Sequence, residues 1–104
     1  MGVLVITEKQ IEDRFVRMAE ERGWWAVKLA SPSTRGMPDR MVLTPGKHVV
    51  FIEFKRPGAK VYKLQGWVHD RLRRLGFTVF VCEDAQHAAD QVEASIESEE
   101  YRYR

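Results

Sequence analysis

Apolar residues near the start of the chain recur with the period of an amphipathic helix. They are three or four positions apart, as they would be on one helical face: Ile11, Phe15, Met18 and Ala19. Thr7 precedes this stripe as a suitable N-cap, and Gly23 follows it as a suitable stop. The pattern therefore predicts a first helix over about residues 7–22.

Three short apolar segments then have the character of strands. Residues 25–29 alternate large apolar groups with smaller or polar ones, and a loop follows at 31–36. Residues 41–43 and 49–55 flank Thr44 to Lys47, where Pro followed by Gly suits a tight turn. These two segments are predicted to form an antiparallel hairpin. Its second strand is apolar on both faces, which is typical of a central strand covered by helices.

The rest of the chain predicts a helix, a strand and a last helix. A second helix ends at Gly76, and its inner face is expected to consist of five apolar residues: Val61, Leu64, Val68, Leu72 and Leu75. Residues 77–82 form a fourth strand and residues 85–96 a third helix. Because a helix separates the third and fourth strands, they can pair in parallel through a right-handed crossover. The sequence predicts an αβββαβ core, with a mixed sheet flanked by helices.

Length and composition fit one soluble α/β domain spanning residues 1–104. The chain has 104 residues, of which 44% are hydrophobic and 31% charged. Its early apolar run, Val3 to Ile6, is too short for a signal-peptide core or a membrane span. We expect a cytoplasmic protein with no membrane partner. The single cysteine, Cys82, excludes an intrachain disulfide and a zinc cluster of thiolates, and its apolar neighbours predict a buried thiol.

Basic residues are concentrated in the middle of the chain. The net charge is only +2, which does not by itself indicate nucleic-acid binding. Between residues 55 and 74, however, one acid, Asp70, stands among seven cations: Lys55, Arg56, Lys60, Lys63, Arg71, Arg73 and Arg74. Charge alone leaves two readings open, an ordinary solvated helix face or a surface for an anionic partner.

The apolar hairpin strand carries two charges, Glu53 and Lys55, on the same face. A buried carboxylate needs a compensating partner, such as a cation, a metal ion or a solvent-filled cleft. Asp39 lies close to Glu53 across the hairpin. A two-residue turn would pair residue 39 with residue 52, so Asp39 can face Glu53 only if a bulge or a longer loop shifts the register by one.

Two adjacent carboxylates repel unless a cation lies between them, and oxygen ligands suit Mg²⁺ or Mn²⁺. With a lysine beside them, such a pair could hydrolyse a phosphodiester. The structural alternative is that Glu53 and Lys55 form an ion pair at a strand end, while Pro38-Asp39 only starts a turn.

The order of these residues resembles a known family. Gly36-x-Pro38-Asp39, thirteen residues, Glu53-x-Lys55 and a later Gln65 are similar to the motifs of the PD-(D/E)XK nuclease superfamily, and specifically of its VRR-NUC branch. The similarity covers about residues 7–82, followed by a C-terminal helix and tail at 84–104. It therefore corresponds to the minimal, stand-alone form, with a restriction-endonuclease-like core.

The resemblance implies a role for each matching residue. Asp39 and Glu53 would bind the metal ion, with the backbone carbonyl of Phe54 as a further ligand. Glu12 matches the acid that the family places ahead of the sheet, and would complete the metal shell directly or through water. Lys55 would serve the nucleophile, and Gln65 would orient Lys55 or a phosphate.

Stand-alone relatives of this kind resemble Holliday-junction resolvases, which act as homodimers. The resemblance thus implies a Mg²⁺- or Mn²⁺-dependent, structure-selective endonuclease of branched DNA such as four-way junctions. Two alternatives remain: a DNA-binding or assembly module that keeps the fold without cutting, and a sequence-specific restriction or nicking nuclease. The chain has little room for an insertion that reads bases.

Several outward residues are candidates for contacts with DNA or with a second copy. Basic positions off the apolar stripe of the second helix should face duplex phosphates: Lys60, Lys63, Arg71 and Arg74. Arg35, with Lys28 and Arg40, marks an alternative path for the duplex. Trp24, Trp25, Trp67 and Tyr62 are candidates for the dimer surface, although core packing is favoured for Trp25.

The three histidines, His48, His69 and His87, show no ligand spacing and receive no catalytic role. His69 follows Gln65 by four residues and could line the cleft.

Overall fold

The computed structural model describes residues 6–30 and 35–102, the last three as backbone only. Two helices and four strands follow one another in the predicted αβββαβ order, and a third helix comes after them. They are α1 (Glu8–Glu21), β1 (Trp25–Lys28), β2 (Arg40–Thr44), β3 (His48–Phe54), α2 (Lys63–Arg74), β4 (Thr78–Cys82) and α3 (Ala85–Arg102). Residues 31–34 of the predicted loop lie outside the described residues.

The first helix begins where the sequence predicts. The Thr7 hydroxyl accepts a hydrogen bond from the backbone N–H of Gln10 at 3.1 Å, and the Gln10 side chain accepts one from the N–H of Thr7 at 2.9 Å. This reciprocal capping box satisfies two N–H groups that the helix itself leaves unpaired. The apolar stripe behind the cap is buried against the sheet.

The four strands form one mixed sheet in the order β1-β2-β3-β4. The first two pairings are antiparallel, whereas β3 and β4 are parallel and α2 connects them. A parallel pair requires such a crossover, since a tight turn can join only antiparallel strands. The predicted fold is confirmed, and β3 is buried along nearly its whole length.

The main core lies on the sheet face covered by α1 and α3. Val50, Ile52 and Phe54 of β3 point to this face and are almost completely buried. The rings of Phe15 and Phe54 pack with centroids 5.4 Å apart. Cys82 is buried in the same cluster, as predicted, and burial raises the pKa of its thiol to about 12. Glu53 and Lys55 therefore point to the opposite face, towards α2.

Helix α2 covers only part of that opposite face, and the predicted inner stripe is partly wrong. Val68 is buried, but Leu64 and Leu75 are exposed. The helix packs beside the edge strand β4 and against the loop before β2. A helix at the margin of a four-stranded sheet can bury only a narrow stripe, so its flanking apolar residues remain open to solvent.

The same geometry explains why the prediction for Trp25 is wrong. Trp24 is buried, whereas Trp25 is 68% exposed. Trp25 lies opposite Leu43, and Leu43 lies opposite Val49, so the three form a row on the α2 side of the sheet. No described helix covers this row, because α2 packs at the other margin.

Helix α3 extends beyond the predicted end at Ile96 to Arg102. Its apolar positions stop at Ile96, but the residues that follow are mostly good helix formers. His48 ties this helix to β3: its Nε2 lies 2.9 Å from the Ser95 hydroxyl, and its Nδ1 contacts the Glu99 carboxylate. Within the described part of the chain, no helix has both the length and the apolarity needed to cross a membrane.

Candidate active site

The length of the hairpin turn brings the two predicted acids into register. Thr44 pairs with His48, so the turn contains three residues, 45–47. The ladder continues to Arg40 opposite Ile52, and one further step places Asp39 opposite Glu53. The longer loop that the sequence analysis required is therefore present, and both side chains leave the α2 face of the sheet.

Asp39 is held at the end of β3 by backbone hydrogen bonds. Its Oδ2 accepts a hydrogen bond from the N–H of Phe54 at 2.7 Å, and its carbonyl accepts one from the N–H of Leu29 at 3.0 Å. A carboxylate that accepts a backbone N–H has little rotational freedom. Asp39 is thus fixed beside Glu53 before any ligand binds.

Gly36 allows the loop before Asp39 to lie against α2. Its φ is +85°, a conformation that side chains disfavour. A Cβ atom built there would lie 3.0 Å from both the Cγ and the backbone oxygen of Leu64. The first position of the Gly-x-Pro-Asp motif therefore needs glycine for close packing as well as for its backbone angle.

Glu53 is a buried carboxyl in an unfavourable environment. It is only 2% exposed, and its Oε1 has no hydrogen-bond partner in the described structure. Burial, together with the charge and hydrogen bonding of Asp39, raises its pKa to about 8. The charge of Lys55 acts in the opposite direction and lowers the pKa. When both acids are ionised, their two negative charges exceed the single positive charge of Lys55 beside them.

His69 supplies a neighbour that the sequence analysis did not assign. This α2 residue is 2% exposed, and its Nε2 lies 3.5 Å from Oε1 of Glu53. Nε2 has no hydrogen-bond partner among the residues described. Burial, and then the charge of Arg73, lowers the pKa of the imidazole. The available signal was its spacing of four from Gln65, which indicated only that it could line the cleft.

Lys55 lies next to Glu53 on the same face and is 3% exposed. Its N–H donates to the carbonyl of Cys82 at 2.9 Å, which extends the β3–β4 ladder by one residue. Its ammonium lies 4.6 Å from the ring centroid of Tyr62. Gln65 also contacts Tyr62: its side-chain oxygen accepts a hydrogen bond from the N–H of Tyr62 at 3.0 Å. The predicted role of Gln65 towards Lys55 or a phosphate stays a prediction.

Glu12 is engaged by two cations of the sheet. Its Oε2 accepts hydrogen bonds from the ammonium of Lys28 and the Nε of Arg40, each at 2.7 Å. Its proposed place in a metal shell stays a prediction. The α1 acid whose charge acts on the pKa of Glu53 is Glu8, one helical turn earlier, which sequence reasoning did not single out.

The oxygen donors at this site fit a hard divalent cation. Across residues 6–30 and 35–102, no three His, Cys, Asp or Glu side chains are grouped as a metal cage. Two carboxylates and one backbone carbonyl nevertheless suit Mg²⁺ or Mn²⁺, which commonly keeps several waters and substrate oxygens. The unpartnered oxygen of Glu53 is a polar atom that a cation would satisfy.

Clefts of comparable size occur at opposite ends of the sheet. One, of about 630 Å³, is lined by His48, Ser95 and Glu99 and lies far from the acids. A cleft of about 560 Å³ adjoins Lys55 and Tyr62. We place the candidate active site at the end of the sheet next to this second cleft, because Asp39, Glu53 and the buried Lys55 lie there.

The predicted DNA-contacting residues are all exposed, in agreement with their outward assignment: Arg35, Lys60, Lys63, Arg71 and Arg74. Arg71 lies over the exposed ring of Trp67, 5.6 Å from its centroid. The alternative path is less open, since Lys28 and Arg40 both pair with Glu12. The exposed cations of α2 are therefore the better candidates for phosphate contacts.

Comparison with known proteins identifies the family. The chain is 40% identical over 77 residues to "Putative nuclease p44" of Acyrthosiphon pisum secondary endosymbiont phage 1, covering 74% of this chain and 83% of that protein. It also superposes on a solved structure described as a VRR_NUC domain, with a TM-score of 0.75, 26% identity and coverage of 85% of this chain and 97% of the other. No protein-family model matches the sequence.

These likenesses agree with the fold. The chain belongs to the VRR-NUC family of PD-(D/E)XK-type nucleases.

Proposed function

We propose that this nuclease domain is a Mg²⁺- or Mn²⁺-dependent endonuclease that cuts DNA at branched structures such as four-way junctions. The observation that carries the proposal is that Asp39 lies beside the buried Glu53, whose Oε1 has no hydrogen-bond partner in the described structure, with Lys55 next to them. Holding two carboxyls together costs free energy, so the arrangement favours a cutting enzyme over a module that only binds DNA. The expected cytoplasmic location stays a prediction.

Asp39, Glu53 and the carbonyl of Phe54 are the residues that would hold the ion, with Glu12 completing its shell directly or through water. When bound, the ion supplies Lewis acidity and neutralises charge at the phosphodiester. Asp39 and Glu53 are held on opposite strands by the hairpin register, so the backbone fixes their separation.

Lys55 is the residue proposed to act on the nucleophile. Its aliphatic stem is buried and its ammonium lies against the Tyr62 ring, so few rotamers are open to it. A fixed cation beside the acids can orient a water molecule and offset charge that develops on the phosphate. We expect Lys55→Ala to lose turnover while keeping most metal affinity.

We propose selectivity for DNA shape because the described residues provide few elements that could contact the edges of bases. Four of the connections between the described strands and helices have only two or three residues, too few to carry a base-reading element into a major groove. The exposed cations near the site can hold phosphates without regard to sequence. Shape selectivity would then depend on how two duplex arms fit around the cleft.

A homodimer would place two such sites on the two strands of a junction. The uncovered row of Trp25, Leu43 and Val49 is an apolar surface that a second copy could bury. Trp25→Glu should then convert a dimer into a monomer in sedimentation velocity runs. A wild-type protein that sediments as a monomer at micromolar concentration would contradict the dimer.

The experiment that tests the function is cleavage of a panel of labelled DNAs by the purified domain. Four-way, three-way, flap and linear duplexes should be incubated with Mg²⁺, with Mn²⁺ or with EDTA. We expect cleavage of the branched forms that depends on the metal ion and is blocked by EDTA. Binding without cleavage under every metal condition would favour the non-cutting module, and equal cutting of linear DNA would overturn shape selectivity.

A further inference from the structure

Tyr62 combines wide exposure with contact to a buried charge. Its residue surface is 73% exposed, whereas Lys55, whose ammonium lies 4.6 Å from the ring centroid, is 3% exposed. A tyrosine that served only to fill the core would be covered. The ring therefore forms part of the wall through which solvent, or a ligand, reaches Lys55.

One neighbour fixes the backbone of Tyr62, and another contacts one face of its ring. The N–H of Tyr62 donates to the side-chain oxygen of Gln65 at 3.0 Å, which fixes the residue at the start of α2. The ammonium below it adds a cation–π contact. A ring held in this way loses little conformational entropy when a flat ligand stacks on it.

The cleft around Tyr62 has the size and charge for one nucleotide. Its volume is about 560 Å³, within the range of small-ligand sites. Lys9, Arg56 and Lys60 line it together with Lys55, against the single acid Glu8. An aromatic wall with an excess of cations is the combination that binds the base and the phosphate of a single-stranded nucleotide.

We propose that Tyr62 is a stacking platform for an unpaired nucleobase next to the phosphate that is cut. The proposal rests on the proposed function, because it takes the scissile phosphate to lie beside Lys55. Within an intact duplex both faces of a base are covered by its neighbours, so only an unpaired or splayed base can stack on the ring. The domain would then prefer DNA with an unpaired nucleotide at the cut.

The kinetic test compares two junctions that are identical except for one unpaired nucleotide at the cut. Tyr62→Leu keeps apolar volume but removes the π-face, and Tyr62→Phe keeps the ring. Relative to wild type, Tyr62→Leu should lower kcat/KM on the unpaired substrate about tenfold more than on the paired one. Tyr62→Phe should keep the wild-type ratio. An equal loss on both substrates would show that Tyr62 only supports Lys55, and would overturn the platform.

A binding test separates this proposal from the proposed function. The same DNA carries 5-iodouracil at the unpaired position and is irradiated in complex with the protein in Ca²⁺, so that a base stacked on an aromatic ring couples to it. We expect coupling to the peptide that contains Tyr62, and its loss in Tyr62→Leu. Coupling only to other residues would overturn the platform even if the domain cuts. Coupling to Tyr62 in a domain that cuts no DNA would overturn the proposed function and keep the platform.

Discussion

The Nε2 atom of His69 lies 3.5 Å from Oε1 of Glu53, and neither atom has another hydrogen-bond partner in the described structure. Both side chains are almost fully buried. The contact is longer than a normal hydrogen bond, so burial of each group is only partly compensated. The metal-free site is therefore a local source of instability that a bound cation would relieve.

The stability of the metal-free domain should depend on the ionisation of Glu53. Its pKa rises from 4.5 to about 8 on folding, so the folded state keeps a proton that the unfolded state releases between these values. Stability from this group falls as pH rises through that window, by at most about 1.4 kcal/mol per pH unit. Glu53→Gln cannot ionise, and its Tm should match the wild type near pH 5 and exceed it near pH 8.5.

Thermal unfolding in EDTA across this pH range measures the difference between the two proteins. The other titrating groups are the same in both proteins, so their effects on Tm largely cancel in the comparison. Saturating Mg²⁺ should reduce the difference in Tm between the two proteins at high pH, because the ion stabilises the ionised acids. Tm curves that run parallel from pH 5 to pH 8.5 would refute the account of Glu53.

Glu12→Gln should destabilise the fold. Lys28 and Arg40 both donate to this largely buried carboxylate, and removing its charge leaves two cations without their counter-ion, at a cost of about 1–3 kcal/mol. Urea unfolding of Glu12→Gln measures the loss, with exposed Glu20→Gln on the same helix as control. If Glu12 also completes the metal shell, the Mg²⁺ concentration for half-maximal cleavage should rise. Unchanged stability would contradict the ion-pair account.

Gly36→Ala should destabilise the protein and disturb the loop that carries Asp39. The substitution forces a side chain into a positive-φ position and against Leu64, for which backbone strain alone costs about 1–3 kcal/mol. Gly66→Ala is the matched control: this helical glycine has open space around its Cβ position, so alanine should be neutral or add about 0.5–1 kcal/mol. Chemical denaturation of both variants distinguishes them, and equal behaviour would disprove the close packing.

The basic side of the cleft should carry phosphates of the duplex. Each phosphate contact contributes about 0.9 to the slope of log affinity against log salt, so the double substitution Lys60→Ala with Lys63→Ala should flatten that slope by roughly one to two units. Binding in Ca²⁺ at several salt concentrations gives the slope. The control, Arg14→Ala with Arg17→Ala, removes the same amount of charge from α1 on the other sheet face. It should leave the slope of log affinity against log salt unchanged. An unaltered slope in the first variant would show that the duplex runs elsewhere.

Much of the fold could be predicted because local signals were unambiguous. The Thr7 cap, the 3.6-residue period of α1 and the doubly apolar β3 each permitted one interpretation. The sequence allowed Asp39 to face Glu53 only if the hairpin contained a bulge or a loop longer than two residues. The three-residue turn meets this condition. Motif spacing then predicted Asp39 and Glu53 as the pair of acids.

What could not be predicted depends on which surfaces meet in three dimensions. Trp25 and Leu75 look like core residues by composition, but α2 packs at one margin of the sheet and leaves both exposed. His69 approaches Glu53 only because α2 crosses that face, and Glu12 meets two cations supplied by different strands. A spacing rule within one element contains no information about these contacts.

The most direct measurement is the initial rate of junction cleavage in Mg²⁺ by the wild type and by Asp39→Asn and Glu53→Gln. Asp90→Asn, the same chemical change on the exposed face of α3, is the control. We predict that both site variants lose cleavage by about a hundredfold or more, that each still binds the junction in Ca²⁺, and that Asp90→Asn cuts at the wild-type rate. Wild-type cleavage by either site variant, in preparations free of contaminating nuclease, would contradict the assignment of the active site.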